Sequence, residues 1–365
     1  MKAKDYKKML RNKRKADRKT LKAKDFLSTG STMLNLACTG KPKRGFAKGH
    51  YYFIVGDSIS GKTFLSLTCL AEASINPHFD GYRFIYDNAE DGAMMDVKKF
   101  FGKQVYRRLE PPGRAFAQSG PEAPQYSETI EDFYFHLDDA FKKELPFIYI
   151  LDSMDSVSST AEKEKFQKTK RATQKGKETT GSFGDGKAKI NSANLRQFLS
   201  SLKRTGSILI IINQTRDNLG FGFKKKTRSG GHALRFYATI EMWSSVESKI
   251  KKTVKGKKRE LGTLCRIKVE KNRIQGKERT IYIPIYHSFG IDDIGSCVDY
   301  LIEENHWKIR SKDITAPEFD FEGSRFKLIK HIEEGELEKD LRELVGDVWN
   351  EIEKACEVKR KKRYE

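Results

Sequence analysis

Gly56-Asp57-Ser58-Ile59-Ser60-Gly61-Lys62-Thr63 decides the fold, because of what stands on either side of it. The apolar run Tyr51-Tyr52-Phe53-Ile54-Val55 precedes it and Phe64-Leu65-Ser66-Leu67-Thr68-Cys69-Leu70 follows, so the stretch joins a buried strand to a helix. Glycines at both ends let the backbone curl with its N–H groups turned inward, and the start of a helix adds positive potential. Lys62 is placed to reach the β- and γ-phosphates of a nucleoside triphosphate, and the Thr63 hydroxyl to ligate Mg²⁺. The expectation is a phosphate-binding loop for ATP and Mg²⁺, with contacts from Gly56, Asp57, Ser58, Ile59, Ser60, Gly61, Lys62 and Thr63.

Two further strand ends support it. Phe147-Ile148-Tyr149-Ile150-Leu151 is an uninterrupted apolar run that closes on Asp152, as a parallel strand buried on both faces does. An acid there, opposite the phosphate loop, suits the Mg²⁺ shell. Tyr82-Arg83-Phe84-Ile85-Tyr86 runs into Asp87-Asn88-Ala89-Glu90, which makes Glu90 the candidate general base for a water attacking the γ-phosphate.

Composition limits the rest. The chain has 365 residues, 37% hydrophobic and 33% charged, which suits one large α/β core with smaller appendages and a polar surface. No apolar run approaches a membrane span and the Lys-rich start lacks a secretory apolar stretch, so the expectation is no membrane partner and a site in the cytoplasm or an equivalent reducing interior. Cys38, Cys69, Cys265, Cys297 and Cys356 are scattered without paired spacing, suggesting neither zinc nor disulfides.

The net charge of +21 is clustered. Residues 1–25 carry 12 Lys/Arg against 3 Asp, and further basic segments are 161–189 (9 against 4), 215–232 (5 against 1), 249–259 (7 against none) and 358–365 (5 against 1). Single runs are usually solvated faces, but five on one ATPase point to a polyanion, most simply nucleic acid held through its phosphates.

The pattern divides into a basic arm (1–27), a core (28–293), a small C-terminal domain (294–357) and a basic tail (358–365). Within the core, helices are expected near 61–75, 93–103, 127–144 and 190–204. Strands are expected through 234–243, 263–271 and 279–286 as an antiparallel extension of a mostly parallel sheet. Gly- and Pro-containing stretches at 111–124, 158–188 and 215–232 read as loops. The strand Ile208-Leu209-Ile210-Ile211-Ile212 ends on Asn213-Gln214.

After the arm, the chain resembles the RecA recombinase family over nearly all its length. The resemblance rests on Ser28-Thr29-Gly30-Ser31, the run from Gly56 to Thr63, Ala89-Glu90, Leu151-Asp152-Ser153, Ile212-Asn213-Gln214, Ser229-Gly230-Gly231-His232-Ala233-Leu234-Arg235-Phe236-Tyr237-Ala238, and Val269-Glu270-Lys271-Asn272-Arg273. It implies a RecA-type α/β ATPase core with a small α+β C-terminal domain. Divergence elsewhere suggests a phage or mobile-element member.

By that resemblance, Gln214 senses the γ-phosphate and orders the loop after it, while Lys271 and Arg273 reach a neighbouring subunit's ATP. Tyr286 is a candidate for adenine stacking. The loops 158–188 and 215–232 match the family's two DNA-contacting loops. The candidate DNA contacts are Lys168, Lys170, Arg171, Lys175, Lys177 and Phe183 in the first loop. In the second they are Arg216, Phe221, Phe223, Lys224, Lys225, Lys226, Arg228, Gly230 and Gly231. The implied activity is ATP-dependent homologous pairing and strand exchange on single- and double-stranded DNA, with self-association into a filament or ring. A hexameric helicase of the same core, or an annealing or mediator protein that retains the ATP site, are the other readings. The arm is shorter than the family's usual docking element, the first loop is longer and richer in Lys, and the tail is basic where bacterial members carry acids.

Overall fold

A computed structural model of the chain describes residues 4–5, 9, 21–91, 95–116, 122–175, 186–217, 226–228, 231–361 and 363–364, with 115–116, 216–217 and 226–228 described in backbone alone. Its centre is a ten-stranded sheet. In chain order the strands are β1 (Tyr51–Gly56), β2 (Arg83–Asp87), β3 (Leu109–Glu110), β4 (Phe147–Leu151), β5 (Ile208–Asp217), β6 (Lys226–Arg228), β7 (Ile240–Val254), β8 (Lys257–Asn272), β9 (Arg279–Tyr286) and β10 (Gly290–Ile291). Across the sheet the order is β10-β9-β8-β7-β1-β5-β4-β2-β3, with β6 returning antiparallel on the exit of β5. From β7 to β3 neighbours run parallel, and from β7 to β10 antiparallel.

The apolar strands are buried on both faces, and the period of two sorts their side chains into separate cores. Tyr52, Ile54, Ile148, Ile150, Ile210 and Ile212 pack on one face, with Leu65, Leu67 and Leu70 of α2 (Lys62–Ser74) and with the C-terminal region. Tyr51, Phe53, Val55, Tyr149, Leu151, Leu209 and Ile211 pack on the other, with α4 (Ile130–Lys142) and α6 (Gly186–Thr205). The remaining core helices are α1 (Thr32–Thr39), α3 (Val97–Arg108), α5 (Thr160–Gln174) and α7 (His232–Tyr237).

The C-terminal region comprises α8 (Asp293–Glu303), a three-stranded meander (Lys308–Arg310, Asp313–Ala316, Phe321–Ser324), α9 (Arg325–Glu334) and α10 (Glu338–Ala355). The expected boundary after 293 falls at the start of α8, but the buried cluster crosses it: Cys297, Leu301, Trp307 and Trp349 join the sheet core. Asp293 fastens three elements, accepting from Thr32 N (2.6 Å) and Thr32 Oγ1 (2.8 Å) of α1 and from Arg342 Nε (3.2 Å) of α10. At the other end, Phe26 and Leu27, counted with the arm by the sequence, are buried and pair with Ala47 and Phe46.

Three expected segments differ. The 158–188 loop is helical over α5, because Ser159 and Glu162 form a reciprocal capping box and no glycine interrupts the chain before Gly176. The strand expected from 234 begins at Ile240 instead. Gly231 at φ +80°, with a Cβ position 3.0 Å from Ala188 Cα on α6, starts the short helix α7 before it. The 111–124 loop carries a small hairpin, Gly113–Phe116 with Glu122–Gln125. Among the described residues no helix is long and apolar enough to cross a membrane.

Candidate nucleotide and DNA site

The parallel strands end together, so the sheet itself gathers the candidate residues. Gly56 of β1 sits opposite Gln214 of β5, Leu151 of β4 opposite Ile211 of β5, and Asp87 of β2 opposite Leu151. The phosphate loop, Glu90, Asp152 and Gln214 therefore share the carboxyl edge of the sheet, where open α/β sheets bind ligands.

The loop is held in its curl from several sides. Gly61 has φ +81°, and a Cβ on it would stand 2.5 Å from Ile285 Cδ1. Ser244 Oγ of β7 donates to Ser60 O at 2.6 Å, and Ser60 Oγ to Asp57 O at 2.7 Å. No side chain caps α2 at Gly61, so the main-chain N–H groups of its first turn face the loop, the arrangement that takes a phosphate.

Thr63 Oγ1 donates to Asp152 Oδ2 at 2.6 Å, and Tyr86 OH donates to the same oxygen at 3.0 Å. Burial pushes the Asp152 carboxyl above its ordinary range, opposed by the Thr63 and Tyr86 hydrogen bonds. Lys62 Nζ donates to Asp57 O at 2.6 Å. Burial lowers its pKa, and the carboxylates of Asp152, Glu90, Asp57 and Asp155 pull it back up. A hydroxyl and a carboxylate paired at the loop, beside a lysine, fit Mg²⁺ with a triphosphate: the acid can stay charged only beside cations.

Glu90 is positioned by its main chain, whose N–H donates to Asp152 O at 2.9 Å. Its carboxylate accepts from the Gln214 side-chain amide. The strand end beneath it is locked by Asp87, a fully buried carboxylate that accepts from Ser127 N (2.9 Å), Ser127 Oγ (2.5 Å) and Tyr149 OH (2.7 Å). Gln214 is also gripped through its main chain, with its N–H on Asp155 Oδ2 at 2.7 Å, and the next residue donates from Thr215 Oγ1 to Asp57 Oδ1.

A cavity of about 430 Å³ opens at the loop and is walled by Phe64, Met95, Thr263, Cys265, Ile285 and His287. Tyr286 is not part of that wall. Strand alternation turns Ile285 to the loop and Tyr286 to the opposite face, near Asp292, Arg325 and Asp299. A larger cavity of about 630 Å³ lies between β9 and helices α8 and α10; it holds none of the expected site residues, and Glu247, Asp299, Glu303 and Glu304 make it a poor phosphate site.

Lys271 and Arg273 are not brought to their own phosphate loop. Lys271 pairs with Glu241, which pairs with Phe53 near the start of β1. Both cations fasten on the end of α7: Lys271 Nζ donates to Arg235 O (2.5 Å) and Phe236 O (2.8 Å), and Arg273 Nη2 to Phe236 O (2.7 Å). Burial and the nearby Arg273 lower the Lys271 pKa to about 8.

Of the candidate DNA contacts, Lys168, Lys170 and Arg171 are exposed on α5, a helix with no buried residue, and Lys175 is exposed at its C-cap. Gly231 starts α7. Arg216, Lys226 and Arg228 are placed by backbone alone, in the β5–β6 ladder where Thr215 pairs with Arg228. Lys177, Phe183, Phe221, Phe223, Lys224, Lys225 and Gly230 lie outside the described residues. The 249–259 segment forms the far end of the β7–β8 hairpin, with residues 251–260 all exposed. Tyr86, Asp155 and Thr215 were missed by sequence reasoning. Tyr86 alone carried a signal, as a polar tip one residue before a strand-end acid.

A family model for the RecA N-terminal domain matches residues 167–292. The chain is similar to RecA-family proteins. It is 27% identical over 284 residues to Protein RecA of Chlorobaculum tepidum, covering 76% of this chain and 70% of that one. It is 27% identical over 282 residues to Protein RecA of Cytophaga hutchinsonii, covering 76% and 68%. With Protein RecA of Mycobacterium sp. (strain KMS) it shares 26% over 344 residues, 91% of this chain and 83% of that one. The family model begins after the phosphate loop, so the loop geometry supports the family independently of it.

Proposed function

We propose that this chain is a RecA-family, DNA-dependent ATPase that assembles on single-stranded DNA and promotes homologous pairing and strand exchange with duplex DNA. The observation that carries this reading is the convergence of Lys62, Thr63, Asp152, Glu90 and Gln214 at one sheet edge, with Gln214 leading directly into the 215–232 loop. The triphosphate lies on the first turn of α2, and Lys62 turns from Asp57 O to its phosphate oxygens. Thr63 and Asp152 would hold Mg²⁺, which would supply charge neutralisation for the triphosphate.

In this account the Gln214 amide has two partners to choose from. Without a γ-phosphate it holds the Glu90 carboxylate. When the amide turns to the γ-phosphate, Glu90 is released to orient a water and take its proton as the water oxygen attacks phosphorus. The turn also draws on the base of the 215–232 loop, which couples nucleotide to DNA. The exposed cations of α5, together with the cations of the second loop, hold DNA phosphates irrespective of sequence. Lys271 and Arg273, at the far end of β1 from their own loop, serve the ATP of an adjoining subunit.

Joint-molecule formation between single-stranded DNA and a homologous duplex tests the activity. The expected result is ATP-dependent pairing that requires homology. ATP-driven unwinding without pairing supports the helicase reading instead, and ATP-independent annealing alone supports the mediator reading.

A further inference from the structure

The cavity of about 630 Å³ between β9, α8 and α10 stands apart from the phosphate loop, and its lining combines two chemistries. Tyr282, Pro284, Tyr300, Trp349 and Ile352 give it apolar and aromatic walls. The Tyr300 and Trp349 rings lie 5.9 Å apart, tilted by 37°. Tyr282 keeps 42% of its surface exposed while its strand neighbours Ile281 and Ile283 are buried. Carboxylates stand around these walls, on a chain whose net charge is +21.

Two of the carboxylates are matched by the fold. Asp299 accepts from Arg325 Nε at 2.6 Å and Nη2 at 2.8 Å, and Glu353 accepts from Arg279 Nε at 2.8 Å. Glu247, Glu303 and Glu304 also line the cavity, and their carboxylates form no ion pair among the described residues. Glu303 and Glu304 close the C-terminal end of α8, where the helix dipole disfavours negative charge. Partial desolvation, with the carboxylates of Asp299 and Glu304 close by, raises the Glu303 pKa. Acids placed this way destabilise one another, and a cation seated between them relieves the repulsion.

The walls say which cation. An inorganic ion makes no use of aromatic rings, and no three His, Cys, Asp or Glu side chains among the described residues are grouped to hold a metal. A cation on an apolar stem uses both parts of the lining, with its methylenes along the rings and its charge over their faces and beside the acids. The volume is that of a small-molecule site. The chain's own basic tail does not fill it, since Lys359, Arg360 and Lys361 are exposed beyond α10. We propose that this cavity binds an aliphatic polyamine, whose methylene stem lies against Tyr282, Tyr300 and Trp349 and whose ammonium groups pair with Glu247, Glu303 and Glu304.

Isothermal titration calorimetry of the full chain with spermidine, at low and fixed ionic strength, tests it. DNA and nucleotide are left out, so failure here is distinct from failure of the strand-exchange reading. Mg²⁺ and trilysine serve as comparison ligands. Glu303→Gln/Glu304→Gln removes two charges and keeps the shape, and Tyr282→Leu removes the exposed ring. Glu333→Gln/Glu334→Gln, on the exposed end of α9, removes the same charge elsewhere. The expected result is a single saturable spermidine site per chain that Mg²⁺ at equal ionic strength does not empty. Affinity falls about tenfold in Glu303→Gln/Glu304→Gln and about threefold in Tyr282→Leu, and it is unchanged in Glu333→Gln/Glu334→Gln.

Absence of saturable spermidine binding overturns the proposal. So does equal weakening by the two glutamate pairs, because only diffuse attraction to the chain's acids is then being measured. Trilysine bound more tightly than spermidine overturns the choice of ligand, and makes the cavity a seat for a basic protein segment instead.

Discussion

On the proposed reading, Asp152 and Glu90 divide the chemistry at the phosphate loop because their surroundings differ. Asp152 is buried, held by Thr63 and Tyr86, and suited to a cation. Glu90 lies at the open edge with a partner, Gln214, that can be drawn away from it. Lys62→Ala is therefore expected to weaken ATP binding. Glu90→Gln is expected to keep ATP binding while turnover falls by about 10²-fold or more, the scale of losing a positioned base. Nucleotide titration and single-turnover hydrolysis check the pair, and undiminished turnover of Glu90→Gln removes Glu90 from the reaction. That Lys62, Thr63, Asp152, Glu90 and Gln214 share one sheet edge was legible in the sequence because each sits at a fixed offset from an apolar run. Asp155 and Thr215 were not, since their bonds to Gln214 N and Asp57 join residues 59 and 158 positions apart.

At the scale of elements, α5 changes how the proposed first DNA segment would work. Lys168 and Arg171 recur at helical spacing on one face of exposed α5 and Lys175 stands at its C-cap, so they present a fixed row of cations rather than a flexible tether. The quadruple variant Lys168→Gln/Lys170→Gln/Arg171→Gln/Lys175→Gln is expected to reduce the slope of log affinity against log salt for single-stranded DNA by about 0.7 for each phosphate the helix no longer neutralises, up to about three in all. Anisotropy titrations over a salt series measure it, and an unchanged slope takes α5 off the DNA. Glycines at the end of this segment outweighed the capping box at its start, which is why the sequence read 158–188 as a loop throughout. The central parallel strands were plain from composition, being apolar on both faces. α7 was hidden because its residues, Ala233, Leu234, Phe236 and Tyr237, suit a strand as well as a helix.

The whole molecule places its parts at two ends of the sheet. The candidate nucleotide residues gather at the carboxyl edge, while Lys271 and Arg273 sit toward the opposite end, pinned to the carbonyls of α7. A chain built this way cannot bring its own cations to its own triphosphate without unpairing β7 from β8, whereas a second copy can supply them. The most direct measurement mixes two inactive proteins. Lys62→Ala retains its cations and lacks a working loop; Lys271→Ala/Arg273→Ala retains its loop and lacks the cations. The expected result is that each alone shows little DNA-stimulated ATP turnover and that the mixture recovers part of it. That recovery should occur only with single-stranded DNA, and it should decline steeply as salt rises, because assembly on a phosphate backbone releases counterions. A mixture as inactive as its components, from proteins that fold and bind DNA normally, contradicts a site completed by the neighbouring subunit.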